Sequence, residues 1–386
     1  MDVIATSFGR LQQFNWRPQD SLTVVAGENG SGKSQLLRSV ALDGLNHGSR
    51  VVALACSVHD KFVGLKMGSS HYAPNRRGSK PEAVLKNAII EIQSRDELQL
   101  RTLSRLLEYC NFDPVIGVRV RFDRDRLYES DVSTLISQEL SDWRKREDAR
   151  SLIHLLRAGD FGETQWVNFA GSHYEFSAER SLINIVAMER LLVKVGLIES
   201  ISISLRKSGR EIPLQQASSG ELSLIASLLF ISSKVNGADL LLIDEPENSL
   251  HPRWQRDYID LIAAAIGYSD IRVVIATHSP ILVLSTLNTT MSKRVLVLSD
   301  TFEERVELEM SSLEEVLAEV FHSYTPRNTY LSSTLVELMD KFEAGRISKA
   351  DVASKLQAID KSGVDDRQRD ALNTVWQVVQ RNGGRL

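Results

Sequence analysis

The stretch "GENGSGKS", residues 27–34, constrains this chain more than any other. It fits the spacing GxxxxGK[ST]. The β-branched run "SLTVVAG" (21–27) leads into it, and "SQLLRSVALDGL" (34–45) follows with apolar residues at helical spacing. Strand, glycine turn and helix in that order make an anion cradle. Glycine permits left-handed backbone and close approach. Successive N–H groups then surround phosphate oxygens, and the helix N-terminus adds positive potential. A lysine at this position reaches the β- and γ-phosphates of a nucleotide, and the next hydroxyl suits Mg2+. The expected nucleotide contacts are therefore Gly27, Asn29, Gly30, Ser31, Gly32, Lys33, Ser34 and Gln35, with Ser34 also a metal ligand.

A second stretch supplies carboxylates. "LLLIDEPENSLHP" (240–252) is an apolar strand ending in Asp244 and Glu245. An isolated acid pair at a strand end is most often a solvated turn. Downstream of a phosphate loop, Asp244 is instead the expected Mg2+ ligand. Glu245 points away from Asp244, because neighbours on an extended chain alternate, and it suits a general base for the attacking water. "IRVVIATHSP" (271–280) is another apolar strand, ending in His278. That is the edge on which α/β sheets bind ligands, so His278 is a candidate γ-phosphate contact. "QQASSGELSLIASLLF" (215–230) places Ser218, Ser219, Gly220 and Glu221 at a helix start, which is an N-cap and an anion site.

The rest of the chain bounds the reading. Its 386 residues suffice for two or three domains, or one large domain with insertions. The formal charge of −4 gives no global basic field to recruit nucleic acid. Two cysteines, Cys56 and Cys110, without CxxC, argue against a disulfide framework or cysteine zinc site and suit a reducing cytoplasm. No signal pattern and no membrane-length apolar run is present, so a cytoplasmic protein without membrane contact is expected. Short apolar strands alternating with helices predict an α/β fold with a mainly parallel sheet flanked by helices. "RVVALACS" (50–57) is a further strand, 64–82 a loop, 96–110, 131–158 and 177–196 helices, 115–122 a strand, and 200–214 a hairpin turning at "KSGR". The expected division is 1–59 (core, first part), 60–199 (mixed α/β inserted lobe), 200–310 (core, second part) and 311–386 (helical, docking a partner or capping the core).

In order, these motifs resemble an ABC-type ATPase head of the soluble branch that includes RecF, SMC and OLD-family proteins. "GENGSGKS" resembles Walker A, "SSGE" the ABC signature, "LLLIDEP" Walker B with its glutamate, "ENSLHP" the D-loop and "ATHSP" the switch-histidine strand. The resemblance covers about residues 1–57 and 200–300. It implies two heads pairing head-to-tail around two ATP molecules. Lys33, Glu245 and His278 would then be catalytic, and Ser219, Gly220 and Glu221 of one copy would face the nucleotide of the other. The implied assembly is a homodimer or a higher even-numbered oligomer.

Two departures stand out. The strand after Walker A ends in "ACSVHDKF", without the usual Q-loop glutamine, leaving Ser57, His59 and Asp60 as substitutes. Gln35 stands where Ser, Thr or Asn is usual. Phe14 and Trp16 are candidates for stacking on adenine or for core positions. Residues 60–200 lack heptads, and no DxD follows His278, so neither a long coiled coil nor a TOPRIM nuclease is expected. The chain is then similar to the ATPase components of antiphage systems such as Septu or PARIS, which control a separate nuclease or toxin effector. The alternative is a RecF-like ATPase acting on DNA directly. Its candidate contacts are the basic runs "NRRGSK" (75–80), "RVRFDRDR" (119–126) and "WRKREDAR" (143–150), each of which also suits a solvated charged face.

Overall fold

The computed structural model describes residues 21–76, 81–91, 104–122, 153–154, 156–157, 162–168, 176–267, 269–298, 302–305, 312–324, 329–361, 364 and 366–382. Phe14, Trp16, residues 77–80 and 123–126 and the run "WRKREDAR" lie outside them.

The strands are β1 (Leu22–Ala26), β2 (Val51–Ala55), β3 (His71–Tyr72), β4 (Val115–Arg121), β5 (Gln165–Asn168), β6 (Ser200–Lys207), β7 (Arg210–Pro213), β8 (Leu240–Asp244), β9 (Arg272–Thr277), β10 (Lys293–Leu298) and β11 (Phe302–Arg305). Helices discussed below are α1 (Lys33–Asn46), α2 (Pro81–Glu91), α3 (Phe176–Ala187), α4 (Glu189–Lys194), α5 (Ser219–Lys234), α6 (Pro252–Ile266), α7 (Pro280–Asn288), α8 (Leu313–Phe321), α9 (Thr329–Glu343), α10 (Lys349–Lys361) and α11 (Asp366–Asn382). One sheet has the order β11-β10-β1-β9-β8-β2-β3, with a six-stranded parallel core and β11 antiparallel. The other is antiparallel, β5-β4-β6-β7. Two compact units divide the chain: Met1–Ser39 with Pro252–Ile259 and Val274–Leu386, and Val40–His251 with Asp260–Val273.

In the first unit, β1 pairs with β10 from Leu22↔Lys293 to Ala26↔Val297. All five β1 residues are buried, as expected of a parallel strand covered on both faces. The C-terminal helices α9–α11 have their own core, including Leu331, Leu335, Leu338, Val352 and Val379. Helix α8 starts at a capping box, in which the Ser312 hydroxyl accepts from Glu315 N and Glu315 accepts from Ser312 N.

In the second unit, β2 pairs with β8 from Val51↔Leu240 to Ala55↔Asp244. Helix α5 is buried continuously from Ser223 to Ser232. The predicted hairpin is β6–β7. Its turn residues Ser208 and Gly209 both have positive φ, 51° and 76°, matching the two-residue turns that follow strand twist. Asp113 fastens this turn, accepting from Gly209 N (3.1 Å) and Arg206 Nε (2.8 Å).

The strands expected from apolar runs appear within a residue or two of their predicted limits. The segment 64–82 differs from a plain loop: it contains β3, and α2 begins at Pro81. A two-residue strand carries no readable periodicity. Proline opening a helix uses its fixed φ at a position where its missing N–H is no loss. The expected helix 177–196 is divided at Met188 into α3 and α4. Of the expected helices 96–110 and 131–158, the described parts 104–109, 153–154 and 156–157 are helical.

Candidate nucleotide site

The phosphate loop belongs to the first unit. Gly30 and Gly32 hold φ of 84° and 92°, a conformation that side-chain-bearing residues avoid. At Gly27 the constraint is space: a Cβ there would lie 2.5 Å from Leu298 O. Ser31 N donates to Glu28 O (3.3 Å), closing the turn, and Leu36 N to Gly32 O (2.9 Å), starting the helix. Lys33 is only 3% exposed. Its ammonium donates to Gly27 O (3.0 Å) and Glu28 O (2.8 Å). A buried cation needs such acceptors. Here they are carbonyls of the loop itself, so the lysine lies folded over the cradle it would serve. Asn29 and Glu28 are exposed at the tip, while Ser31, Ser34 and Gln35 are half-buried.

His278 follows β9 in the same unit and is half-buried. Its neighbours are tied down. Ser279 N donates to Thr277 Oγ1 (2.9 Å), Ser279 Oγ accepts from Leu282 N (3.2 Å) to cap α7, and Ser279 Oγ donates to Gln255 Oε1 (2.7 Å). These bonds fix the backbone that carries His278.

The carboxylates belong to the second unit. Asp244, last residue of β8, is 0% exposed, and Glu247 is also buried. Glu245 has left-handed backbone, φ 50° and ψ 56°. For a non-glycine residue this costs about 1–2 kcal/mol, so the turn aims Glu245 at the expense of stability. Asn248 Nδ2 donates to Glu245 Oε2 (2.9 Å) and holds that carboxylate. The Cys56 thiol is pushed far above its ordinary range, by burial first and then by the charges of Glu247, Asp244 and Glu245. It sits in the field of three acids. Glu247 was not singled out in the sequence. Its only signal was a third acid one residue beyond the proline.

The signature segment also lies in the second unit. Ser218 is the N-cap of α5 in extended conformation, yet its side chain makes no capping bond. Leu222 N instead donates to Ser218 O (2.9 Å). Ser218 and Ser219 are exposed and Gly220 half-buried. Glu221 pairs with Lys207 at 3.2 Å.

Of the three residues available where a Q-loop glutamine would stand, Asp60 is engaged. It accepts from Phe62 N (2.9 Å), and His71 Nε2 lies 3.0 Å from its Oδ2. His59 is exposed and Ser57 buried. Among the basic runs, Arg119 is drawn into a cluster with Thr164 Oγ1 (3.0 Å) and Glu211 (3.3 Å).

No group of three or more His, Cys, Asp or Glu residues forms a metal cage among the described residues. Each unit supplies an oxygen donor of the kind Mg2+ takes, the Ser34 hydroxyl in the first and the Asp244 carboxylate in the second. The left-handed backbone at Gly30 and Gly32 fits a loop that wraps its N–H groups around phosphates.

Comparison with known proteins agrees with this chemistry. Residues 111–285 match the family model AAA_21, described as "AAA domain, putative AbiEii toxin, Type IV TA system". The "Retron Vc95 probable ATPase" of Vibrio cholerae serotype O1 biovar El Tor is 30% identical over 119 residues. That alignment covers 28% of this chain and 22% of the relative, so the chain spans about a fifth of its length. Two solved structures are similar. The Smc head domain bound to the C-terminal domain of ScpA, from Pyrococcus furiosus, has 12% identity and TM-score 0.30, covering 75% of this chain and 90% of that one. UvrA2 from Deinococcus radiodurans has 15% identity and TM-score 0.27, covering 72% and 32%. The family match takes in the signature segment, the strand ending in Asp244 and His278, while the phosphate loop at 27–34 lies outside it.

Proposed function

We propose that this protein binds and hydrolyses ATP with Mg2+ between paired heads, and that its nucleotide state controls a separate effector, a nuclease or toxin, in antiphage defence. The observation that carries the pairing is the signature segment. A helix N-terminus is presented with exposed Ser218 and Ser219, and the Ser218 side chain is not used to cap its own helix. Such an end binds anions, and in this reading it meets the γ-phosphate held by Lys33 of a second copy.

Each residue then has a task. Lys33 exchanges two loop carbonyls for β- and γ-phosphate oxygens. The loop N–H groups hold the phosphates in line, and His278 contacts the γ-phosphate. Ser34 and Asp244 would be the ligands for Mg2+, which would supply charge neutralisation at the phosphate oxygens. Glu245 accepts the proton of the attacking water. Most of the rate comes from positioning and fixed charge. The role in defence draws support from the family description and from the retron ATPase relative. The C-terminal helices α9–α11, with their own core, are the proposed effector-docking region.

Native mass spectrometry of the protein purified from its own operon, with and without ATP, tests this. The expected result is a second encoded chain bound to an even number of these subunits. A lone chain that dimerises with ATP and only then binds DNA would replace this reading with direct action on DNA.

A further inference from the structure

His278 stands one residue past β9, and β9 is the sheet neighbour of β1, whose end opens the phosphate loop. A side chain that meets a phosphate there is useful only if the backbone beneath it keeps one position. On one side of His278 is Thr277, fully buried, whose Oγ1 accepts from Ser279 N (2.9 Å). On the other is Ser279, 5% exposed, whose hydroxyl does two things at once. It accepts from Leu282 N (3.2 Å), capping α7, and it donates to Gln255 Oε1 on α6 (2.7 Å). The second bond sets the first. A hydroxyl has one proton and two lone pairs. With the proton given to Gln255, a lone pair faces the Leu282 N–H. Without the glutamine oxygen, a buried proton must rotate toward another acceptor, because leaving it unpaired is costly. That rotation turns the lone pair off the cap. Gln255 therefore acts on His278 through one hydroxyl and one backbone turn. The packing of α6 is carried by its buried neighbours Tyr258 and Ile259, so a half-buried amide at Gln255 has a different task. Gln255, the turn 277–279, α7 and the phosphate loop all belong to the first unit.

We propose that Gln255 is a positioning residue for His278: it orients the Ser279 hydroxyl, and through it the turn that presents the imidazole to the γ-phosphate of a bound nucleoside triphosphate. The proposal rests on the ATP-binding reading above. It goes further in naming the side chain on which discrimination of triphosphate from diphosphate depends at that contact.

The test compares the wild type with Gln255→Leu, Ser279→Ala, the double variant and His278→Ala. Titration calorimetry with MgCl2 measures binding of ADP and of the non-hydrolysable triphosphate adenylyl imidodiphosphate. Gln255→Leu should lose about fivefold in its preference for the triphosphate, the net worth of one hydrogen bond, with ADP affinity unchanged. A merely structural role would weaken both nucleotides alike. Adding Gln255→Leu to Ser279→Ala should lower the preference no further, because residues that act through one bond are not additive. A preference kept in Gln255→Leu but lost in His278→Ala overturns the proposal, and so do losses that add in the double variant. If Gln255→Leu does not fold, Gln255→Ala takes its place, and failure of both to fold marks the bond as packing alone and overturns the proposal. A wild type that binds no nucleotide, or His278→Ala with an undiminished preference, overturns the reading beneath it as well.

Discussion

Around the strand ends, groups that prefer water are buried: Lys33 is 3% exposed, Asp244 0% and Thr277 0%. In the C-terminal helices the buried core cluster is Leu331, Leu335, Leu338, Val352, Leu356, Ile359, Val364, Leu372 and Val379, all aliphatic. There the carboxylates of Glu337 and Asp351 lie at the surface, held by Lys341 and Ser348. Burying charge destabilises unless partners compensate. A chain that buries Lys33 at the start of α1 in one unit and Asp244 at the end of β8 in the other, and bends Glu245 into left-handed backbone besides, is shaped at these places for something other than its own stability. The helices carry no such strain in their core. The two regions should therefore fail differently when altered: the first in chemistry, the second in folding.

The sharpest division should come from Glu245→Gln. Losing the general base lowers ATP turnover about 10²–10⁴-fold while ATP affinity and melting temperature hold, as a phosphate-release assay and calorimetry would show. Wild-type turnover would remove Glu245 from the reaction. Leu338→Ala is the converse. A large-to-small change in an aliphatic core costs about 2–5 kcal/mol, seen as loss of helical signal at lower denaturant, with ATP affinity unaltered. A parallel loss of ATP affinity would break the comparison by coupling the two regions. Lys33→Ala comes next. Removing charge-assisted bonds worth about 1.5–3 kcal/mol weakens ATP binding roughly 10–100-fold. The fold should persist, since water can take the place of the ammonium at the two loop carbonyls it holds.

How much of this was readable in advance follows the same division. Gly30, Gly32 and Lys33 announce themselves, because a phosphate cradle demands those residue types at that spacing. Apolar strands ending in Asp244 and Thr277 are legible because parallel strands are apolar throughout. The turn at Ser208–Gly209 follows from local backbone chemistry. What stayed hidden depends on distant partners. Asp60 could be separated from Ser57 only by finding His71 and the Phe62 N–H beside it. Glu247 shows as part of the acidic edge only through its charge at Cys56. Strand β3 has two residues, too few for any pattern, and exists because β2 offers it a free edge. The helical character of 311–386 was expected, but that α9–α11 form a core of their own, and which faces meet in it, is decided by packing.

The smallest expected effect concerns the start of α10. Ser348 Oγ accepts from Asp351 N (3.2 Å), while Asp351 Oδ2 accepts from Ser348 N (2.9 Å) and Ser348 Oγ (2.7 Å). This reciprocal cap satisfies helix N–H groups that have no intrahelical partner. Ser348→Ala should cost about 1 kcal/mol. Those same bonds, the hydroxyl's first and the backbone N–H's second, hold the Asp351 carboxyl below its ordinary range. A carboxylate depressed on folding stabilises at pH above its unfolded value, and the contribution fades as pH falls through the folded one. Asp351→Asn should therefore lower the melting temperature of the helical region slightly at neutral pH. The difference from wild type should close on acidification below the ordinary carboxylate range. Melting curves followed by circular dichroism across that range check it. A gap that stays constant with pH would mean the cap acts through geometry alone, and the helices would then share none of the charge dependence that marks the strand ends.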